Sequence, residues 1–305
     1  MGTFAEKELI CEQAFNEYGP FWHLYTDGTK MENIFCSNEE MILVMTAIAV
    51  ERALVGDVMI ITFEIMKNHL HFIMAGECNV CLEFFTRLKR RIMRMFSLMD
   101  KVVDWDNFQA SILPIADLKS LRNEIIYVNR NAFVANPDCT PYSYPWGGGC
   151  AYFNELMQLL PVCRMDDFSI NKQRELARCR DVSKLGALKF VGNIPYIPGF
   201  CRIDIGEKMF RDARNYFSSL TRNAEAFSQI ASRLQDMMFL TEDELFAVAI
   251  KYSETNFADT KLINLSPDQK MQLARELHFK YNASNQQLRR LLKLDIRILS
   301  EVFPE

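Results

Sequence analysis

The segment DVMIITFEIMKNHLHFIMAG, residues 57–76, limits the possible folds more than any other part of the chain. Both halves are rich in β-branched and aromatic residues, and only Lys67-Asn68 stands between them. Such a pattern predicts two strands, 57–66 and 69–76, closed into an antiparallel hairpin by a tight turn. Helical segments flank it. Ser37-Asn38-Glu39-Glu40 starts a helix with acids in its first turn, running to about Leu54, where Gly56 ends it. Residues 79–99 place Phe85, Leu88, Ile92, Met95, Phe96 and Met99 on one helical face.

FWHLYTDG, residues 21–28, reads as a strand stopped by an Asp-Gly turn, and a further strand falls near 107–113 before Pro114. ADLKSLRNEIIYVNR, 116–130, fits another helix. The predicted class is α+β: a ferredoxin-like antiparallel sheet with helices on one face. NPDCTPYSYPWGGGC is loop. Residues 194–206 read as extended and 207–220 as helical. An all-α region follows, with Ser266 and Ser284 as helix N-caps. The expected division is a main domain over 1–155, a connecting arm over 156–230, and a helical domain over 231–305 containing a helix-turn-helix.

Composition narrows the class of protein. Net charge is −4, which argues against a protein that simply coats nucleic acid. Basic residues are concentrated locally: TRLKRRIMRMF carries Arg87, Lys89, Arg90, Arg91 and Arg94 with no acid among them. No apolar run is long enough for a membrane span, and MGTFAEKELI has no secretory pattern. Nine scattered cysteines fit reduced thiols, so a cytoplasmic location is expected. Cys78-Asn79-Val80-Cys81 has no second pair at zinc-site spacing and reads as small residues entering a helix.

Chemistry gathers on the hairpin. The chain has four histidines, and His69 and His71 sit two apart. Strand side chains alternate, so both face one way, with ring nitrogens that can converge on a divalent cation. The alternative is that both are buried histidines satisfying backbone groups. Tyr127 and Asn131 are four apart, hence neighbours on one helical face. An asparagine oxygen there can complete a ligand set beside a phenol; equally, Tyr127 can be a core aromatic and Asn131 a cap. His23 and His278 read as structural.

EIMKNHLHFIMAG resembles the strand of the HUH superfamily, in which histidine, a hydrophobic residue and histidine form a metal site. Its flanks most resemble the REP-associated tyrosine transposases, whose strand typically reads M-P-N-H-x-H. YVNRNAFVA resembles that group's Y-[IV]-x-x-N-P-V-x-A segment, and LKRRIMRMF sits where the group has a basic helix. The similarity spans about residues 20–155. Lys67 and Ala132 depart from it, standing where the group has Pro or Ser and Pro.

The resemblance implies Tyr127 as nucleophile and His69, His71 and Asn131 as ligands to Mg2+ or Mn2+. It further implies nicking and strand transfer on single-stranded or hairpin DNA through a 5′-phosphotyrosine. Arg87, Lys89, Arg90, Arg91 and Arg94 would follow the DNA backbone, or form a solvated helix face. In the helix-turn-helix, Gln286, Gln287, Arg289, Arg290 and Lys293 would contact flanking duplex. PYSYPWGGGCAYF offers aromatics for base stacking or loop anchoring. No membrane partner is expected, and the chain would act as a monomer or a homodimer. Two readings compete: a catalytically inactive DNA-binding regulator that keeps the fold, and an RNA-binding module. The second of these wants aromatics where this chain has histidines.

Overall fold

The computed structural model describes residues 3–135, 142–220, 224–234, 236, 240–259 and 261–303. The chain divides into two compact units, one of Met1–Phe133 with Pro137–Ser219, the other of Val134–Asn136 with Leu220–Glu305.

The first unit opens with α1 (Phe4–Tyr18), capped by Thr3 in a reciprocal box with Glu6. Sequence periodicity does not announce this helix. It buries only Cys11 and Ala14 and leaves Phe4, Leu9 and Ile10 exposed. Then come β1 (Phe21–Thr26), α2 (Asn38–Leu54), β2 (Val58–Ile65), β3 (Leu70–Gly76), α3 (Cys78–Ser97), β4 (Ala110–Ile115) and α4 (Leu118–Ala135). The sheet order is β2-β3-β1-β4 with antiparallel neighbours throughout, the connectivity of a split β-α-β unit. Ser37 caps α2 in a box with Glu40, and Met66 N–H donates to the His69 carbonyl to close the hairpin. Pro114 is accommodated because β4 lies at the sheet edge, where one row of N–H groups has no strand to serve.

The helices do not share one face, and this corrects the expectation. Phe84 of α3 packs edge-on against Phe72 at 5.6 Å, so α3 lies on the face of the even-numbered β3 side chains. On the opposite face, α4 reaches His23 through Glu124 and Thr62 through Asn129. The reason is burial: β3 is buried at every position but its last, so both faces of the sheet need a cover.

Residues 142–219 belong to this same unit. Gly147 bridges Glu64, Cys201 bridges Ile60, and Trp146 O accepts from Ile65 N–H at 2.9 Å. These contacts satisfy the outer edge of β2, which would otherwise expose unpaired backbone groups. Tyr144 donates to Ile65 O and Tyr152 to Ile61 O, and Tyr152 and Phe153 pack on Tyr216. Of the loop aromatics, these anchor the edge, whereas Tyr142 remains 43 % exposed. The segment also carries a three-stranded sheet of β5 (Cys163–Arg164), β6 (Lys189–Val191) and β7 (Ile194–Pro195), with α5 (Ile170–Ala177), α6 (Ile203–Lys208) and α7 (Ala213–Leu220). Where the sequence predicts an extended 194–206, the chain holds two strand residues and then turns into α6.

The second unit is helical: α8 (Ala224–Leu234), α9 (Glu242–Phe257), α10 (Pro267–Tyr281), α11 (Asn285–Leu292) and α12 (Ile296–Val302). Ser266 and Ser284 cap α10 and α11 as predicted, each in a capping box. Among the described residues no helix is long and apolar enough to cross a membrane.

Candidate metal centre

Strand register gathers the polar residues of the hairpin. His71 lies opposite Tyr25 on β1 and opposite Glu64 on β2, and His23 lies opposite Ile73. Directly opposed side chains share a face, so His23, Tyr25, Glu64 and His71 form one patch. All four are buried, and His69 is 7 % exposed. A buried polar patch is costly unless its members satisfy one another.

His23 and His71 do so through an ordered chain. The Glu124 carboxylate stands 2.7 Å from His23 Nδ1, and His23 Nε2 stands 3.1 Å from His71 Nδ1. A carboxylate only accepts, so His23 carries its proton on Nδ1 and accepts at Nε2. With His23 neutral, His71 Nδ1–H is the donor in that contact, which leaves the His71 lone pair on Nε2. His69 reaches the same state by another route. Asn68 Nδ2 donates to Gly28 O at 2.7 Å and to Met31 O at 3.3 Å, which orients its Oδ1 towards His69 Nδ1 at 2.6 Å. His69 therefore also holds its proton on Nδ1 and its lone pair on Nε2. The two rings lie 4.9 Å apart, nearly perpendicular. In their neutral forms these two imidazoles, each held by a partner on Nδ1, fit a divalent cation through Nε2.

The amphipathic α4 brings the third element. Tyr127 packs edge-on against His71 at 5.8 Å and against His23 at 6.4 Å, and is 2 % exposed. Asn131 follows one helical turn later and is also buried. Asn129 occupies a different face: it accepts from Thr62 of β2, and its amide donates to Tyr216 OH at 2.9 Å. The helix is thus clamped between sheet and α7, and burial raises the Tyr216 hydroxyl well above the usual phenol range.

Sequence reasoning places His23 among the structural residues and passes over Glu124, Glu64 and Asn68. His23 belongs to the chain that orients His71. The alternation Thr62-x-Glu64 in an otherwise apolar strand, matched by His23-x-Tyr25 and His69-x-His71, is the signal that could have located the patch. His278 is structural as expected, with Nδ1 3.0 Å from Ala283 O and its ring on Phe303.

The predicted DNA-binding residues are distributed differently. Arg87, Lys89, Arg90, Arg91 and Arg94 lie on α3, across the sheet from the histidines. Arg87 and Arg91 pair with Glu51, and Lys89 donates to Trp105 O, with burial lowering its ammonium pKa. Arg90 and Arg94 are exposed. In the second unit Gln287 is occupied by the Ser284 cap and Leu240 O, and Arg290 pairs with Glu242. Gln286, Arg289 and Lys293 are exposed.

The Cys78–Cys81 pair sits in the first turn of α3, with Cys81 buried and its thiol pushed up to about 12 by that burial. Cys150 is likewise raised to about 12 by burial. At pH 8, iodoacetamide should label the exposed Cys36 and Cys163 of the native protein while sparing Cys81 and Cys150. Peptide mass spectrometry reads this directly; rapid native labelling of Cys81 would contradict the buried assignment.

No protein-family model, curated protein or solved structure matches the chain.

Proposed function

We propose that this protein is a metal-dependent DNA endonuclease and strand transferase of the tyrosine HUH type. It would act on single-stranded or hairpin DNA through a 5′-phosphotyrosine. The observation that supports this most is the contact of Tyr127 with His71, whose tautomer is set by the Glu124–His23 chain. Strand order and the two sequence segments around His69-x-His71 and Tyr127 agree with that family's plan.

His69 and His71 would hold the cation through Nε2, with Asn131 as a further oxygen ligand. When bound, Mg2+ or Mn2+ supplies Lewis-acid polarisation of the phosphate. Imidazole suits Mn2+ better than Mg2+, so Mn2+ is the first choice in vitro. Tyr127 Oη forms the new bond to phosphorus while the P–O3′ bond breaks. The proton lost by the phenol balances the one gained by the departing 3′ oxygen. Bond energy is retained in the phosphotyrosine, so a second 3′-hydroxyl can reseal it by the reverse displacement. Gln286, Arg289 and Lys293 are the residues of the helix-turn-helix open to duplex contact.

The test is incubation of the protein with a DNA hairpin oligonucleotide carrying a single-stranded flank. A denaturant-resistant protein–DNA band that needs Mn2+ and vanishes with EDTA is expected. DNA binding with no covalent product at any metal concentration would defeat the proposal. The second reading, a non-catalytic DNA-binding regulator, is favoured by one observation, the 2 % exposure of Tyr127. It predicts that binding-only outcome.

A further inference from the structure

A second concentration of charge lies on the far side of the sheet. The exposed side of α3, the end of α2 and the two residues that follow α5, Arg178 and Cys179, line a cavity of about 330 Å³. Its walls carry Arg87, Arg90, Arg91, Arg94 and Arg178, against Glu51 as the one acidic group lining it. Five guanidinium groups around one carboxylate repel each other unless an anion joins them.

The pairing with Glu51 does not quench the site; it orders it. Arg87 gives its Nε–H to one Glu51 oxygen at 2.8 Å, and Arg91 gives its Nε–H to the other at 2.6 Å. Glu51 itself is buried, with its side chain 5 % exposed. Each guanidinium is therefore anchored through Nε to a fixed carboxylate, and both side chains line the cavity. Arg87 Nη1 has one more acid nearby, Glu83 at 4.0 Å, which is mostly exposed and weakly coupled. Arg90 and Arg94 have no ion pair among the described residues. Arg178 closes the wall from a left-handed conformation, φ +49°, at the end of α5. That backbone state favours glycine or asparagine, so an arginine there is unusual and brings its charge to the rim. Glu175, three residues earlier, is coupled to Arg178 but gives its carboxylate to Lys172 at 2.7 Å.

The chemistry of the walls selects the ligand class. Planar guanidinium forks match phosphate oxygens in pairs, and several at one site match a multiply charged phosphate better than a single carboxylate. Arg87–Arg91 and Arg90–Arg94 each repeat at one helical turn, on a scale of about 5–6 Å that suits adjacent phosphate groups. The wall is not all charge. Leu98 is 79 % exposed beside the arginines, and the buried Met95 lines the same cavity. An apolar patch at the edge of an arginine cluster suits a sugar and base attached to the phosphate. The volume lies at the lower end of small-ligand sites and accommodates one nucleotide unit.

We infer that this cavity is a nucleotide-phosphate site. It is separated from the histidine patch by the sheet, since Phe84 of α3 packs on the face of Phe72 and not of His71. The site holds phosphate groups and does not depend on the chemistry proposed for Tyr127. Those groups can belong to a free nucleoside polyphosphate or to a single strand of nucleic acid.

Two titrations distinguish these sources. One uses calorimetry with ADP; the other uses fluorescence anisotropy with a labelled 12-nucleotide DNA strand at several salt concentrations. Both compare wild type with the double substitution Arg90→Gln, Arg94→Gln, which alters exposed side chains and leaves Glu51 paired. If a strand is the ligand, the substitution weakens its binding about tenfold or more at low salt. It also flattens the slope of log K against log salt by about 1.4, the value for two contacts on a single strand. If a free nucleotide is the ligand, the ADP affinity falls instead, and inorganic pyrophosphate competes. Unchanged affinities in both titrations overturn the inference. So does a wild-type protein that ignores both probes but binds phosphatidylserine vesicles through the same arginines and Leu98. The covalent product of the wild type is scored separately: its absence with arginine-dependent binding intact would refute the nicking reading alone.

Discussion

Replacing Tyr127 with phenylalanine should remove the covalent protein–DNA product expected of the proposed nuclease and leave a folded protein. The substitution deletes one oxygen from a residue that is 2 % exposed and keeps the ring against His71. Losing a hydroxyl hydrogen bond in such a place costs on the order of 1 kcal/mol. A stable domain tolerates that, and thermal unfolding should confirm a modest decrease in Tm. The chemical effect is of another size. Without the phenol oxygen no bond to phosphorus can form at that position, and removal of a nucleophile costs on the order of 10⁶-fold in a covalent mechanism. Mn2+ binding should survive, because the imidazole pair is untouched. Covalent product at wild-type level from Tyr127→Phe would move the nucleophile elsewhere and dismantle the site assignment.

Glu124→Gln should weaken Mn2+ binding by about 10- to 100-fold, the usual consequence of losing a partner that orients a metal ligand. The effect passes along the hydrogen bonds from Glu124 through His23 to His71. A glutamine can present its NH2 to His23 Nδ1, which a carboxylate cannot do. In that arrangement His23 is protonated on Nε2 and donates to His71 Nδ1. His71 then carries its proton on Nε2, and the nitrogen offered to the cation has no lone pair. The glutamine carbonyl can still support the productive tautomer part of the time, so the loss is partial. Manganese titration followed by electron paramagnetic resonance reads the affinity without reference to catalysis. Glu124→Asp retains an acceptor-only group and should recover part of it. A purely structural Glu124 would lower Tm and leave the manganese affinity of the folded protein unchanged.

Local chemistry in the chain determined much of this protein. Enrichment in β-branched and aromatic residues determined β1, β2 and β3, and Lys67-Asn68 determined the turn between the last two. Ser37, Ser266 and Ser284 determined helix starts, because a hydroxyl at that point caps the same backbone N–H groups in almost any surroundings. The shared facing of His69 and His71 was also legible, since it follows from a two-residue period. Helix α1 escaped because its buried stripe is only Cys11 and Ala14, and two small side chains make no periodic signal.

What remained belongs to the tertiary structure. No local pattern says that β1 lies between β3 and β4, yet that order alone sets His23 beside His71, 48 residues away. Spacing puts Tyr127 and Asn131 on one face of α4, but burial of both sheet faces decided that this face meets the histidines. The run of basic residues on α3 reads as one uniform stripe. Glu51 on a neighbouring helix divided it into anchored and open arginines. Short-range order follows from residue type because its partners are a few positions apart. Register, layer and ion pairing join residues tens of positions apart, and only packing of the whole core selects which of them meet.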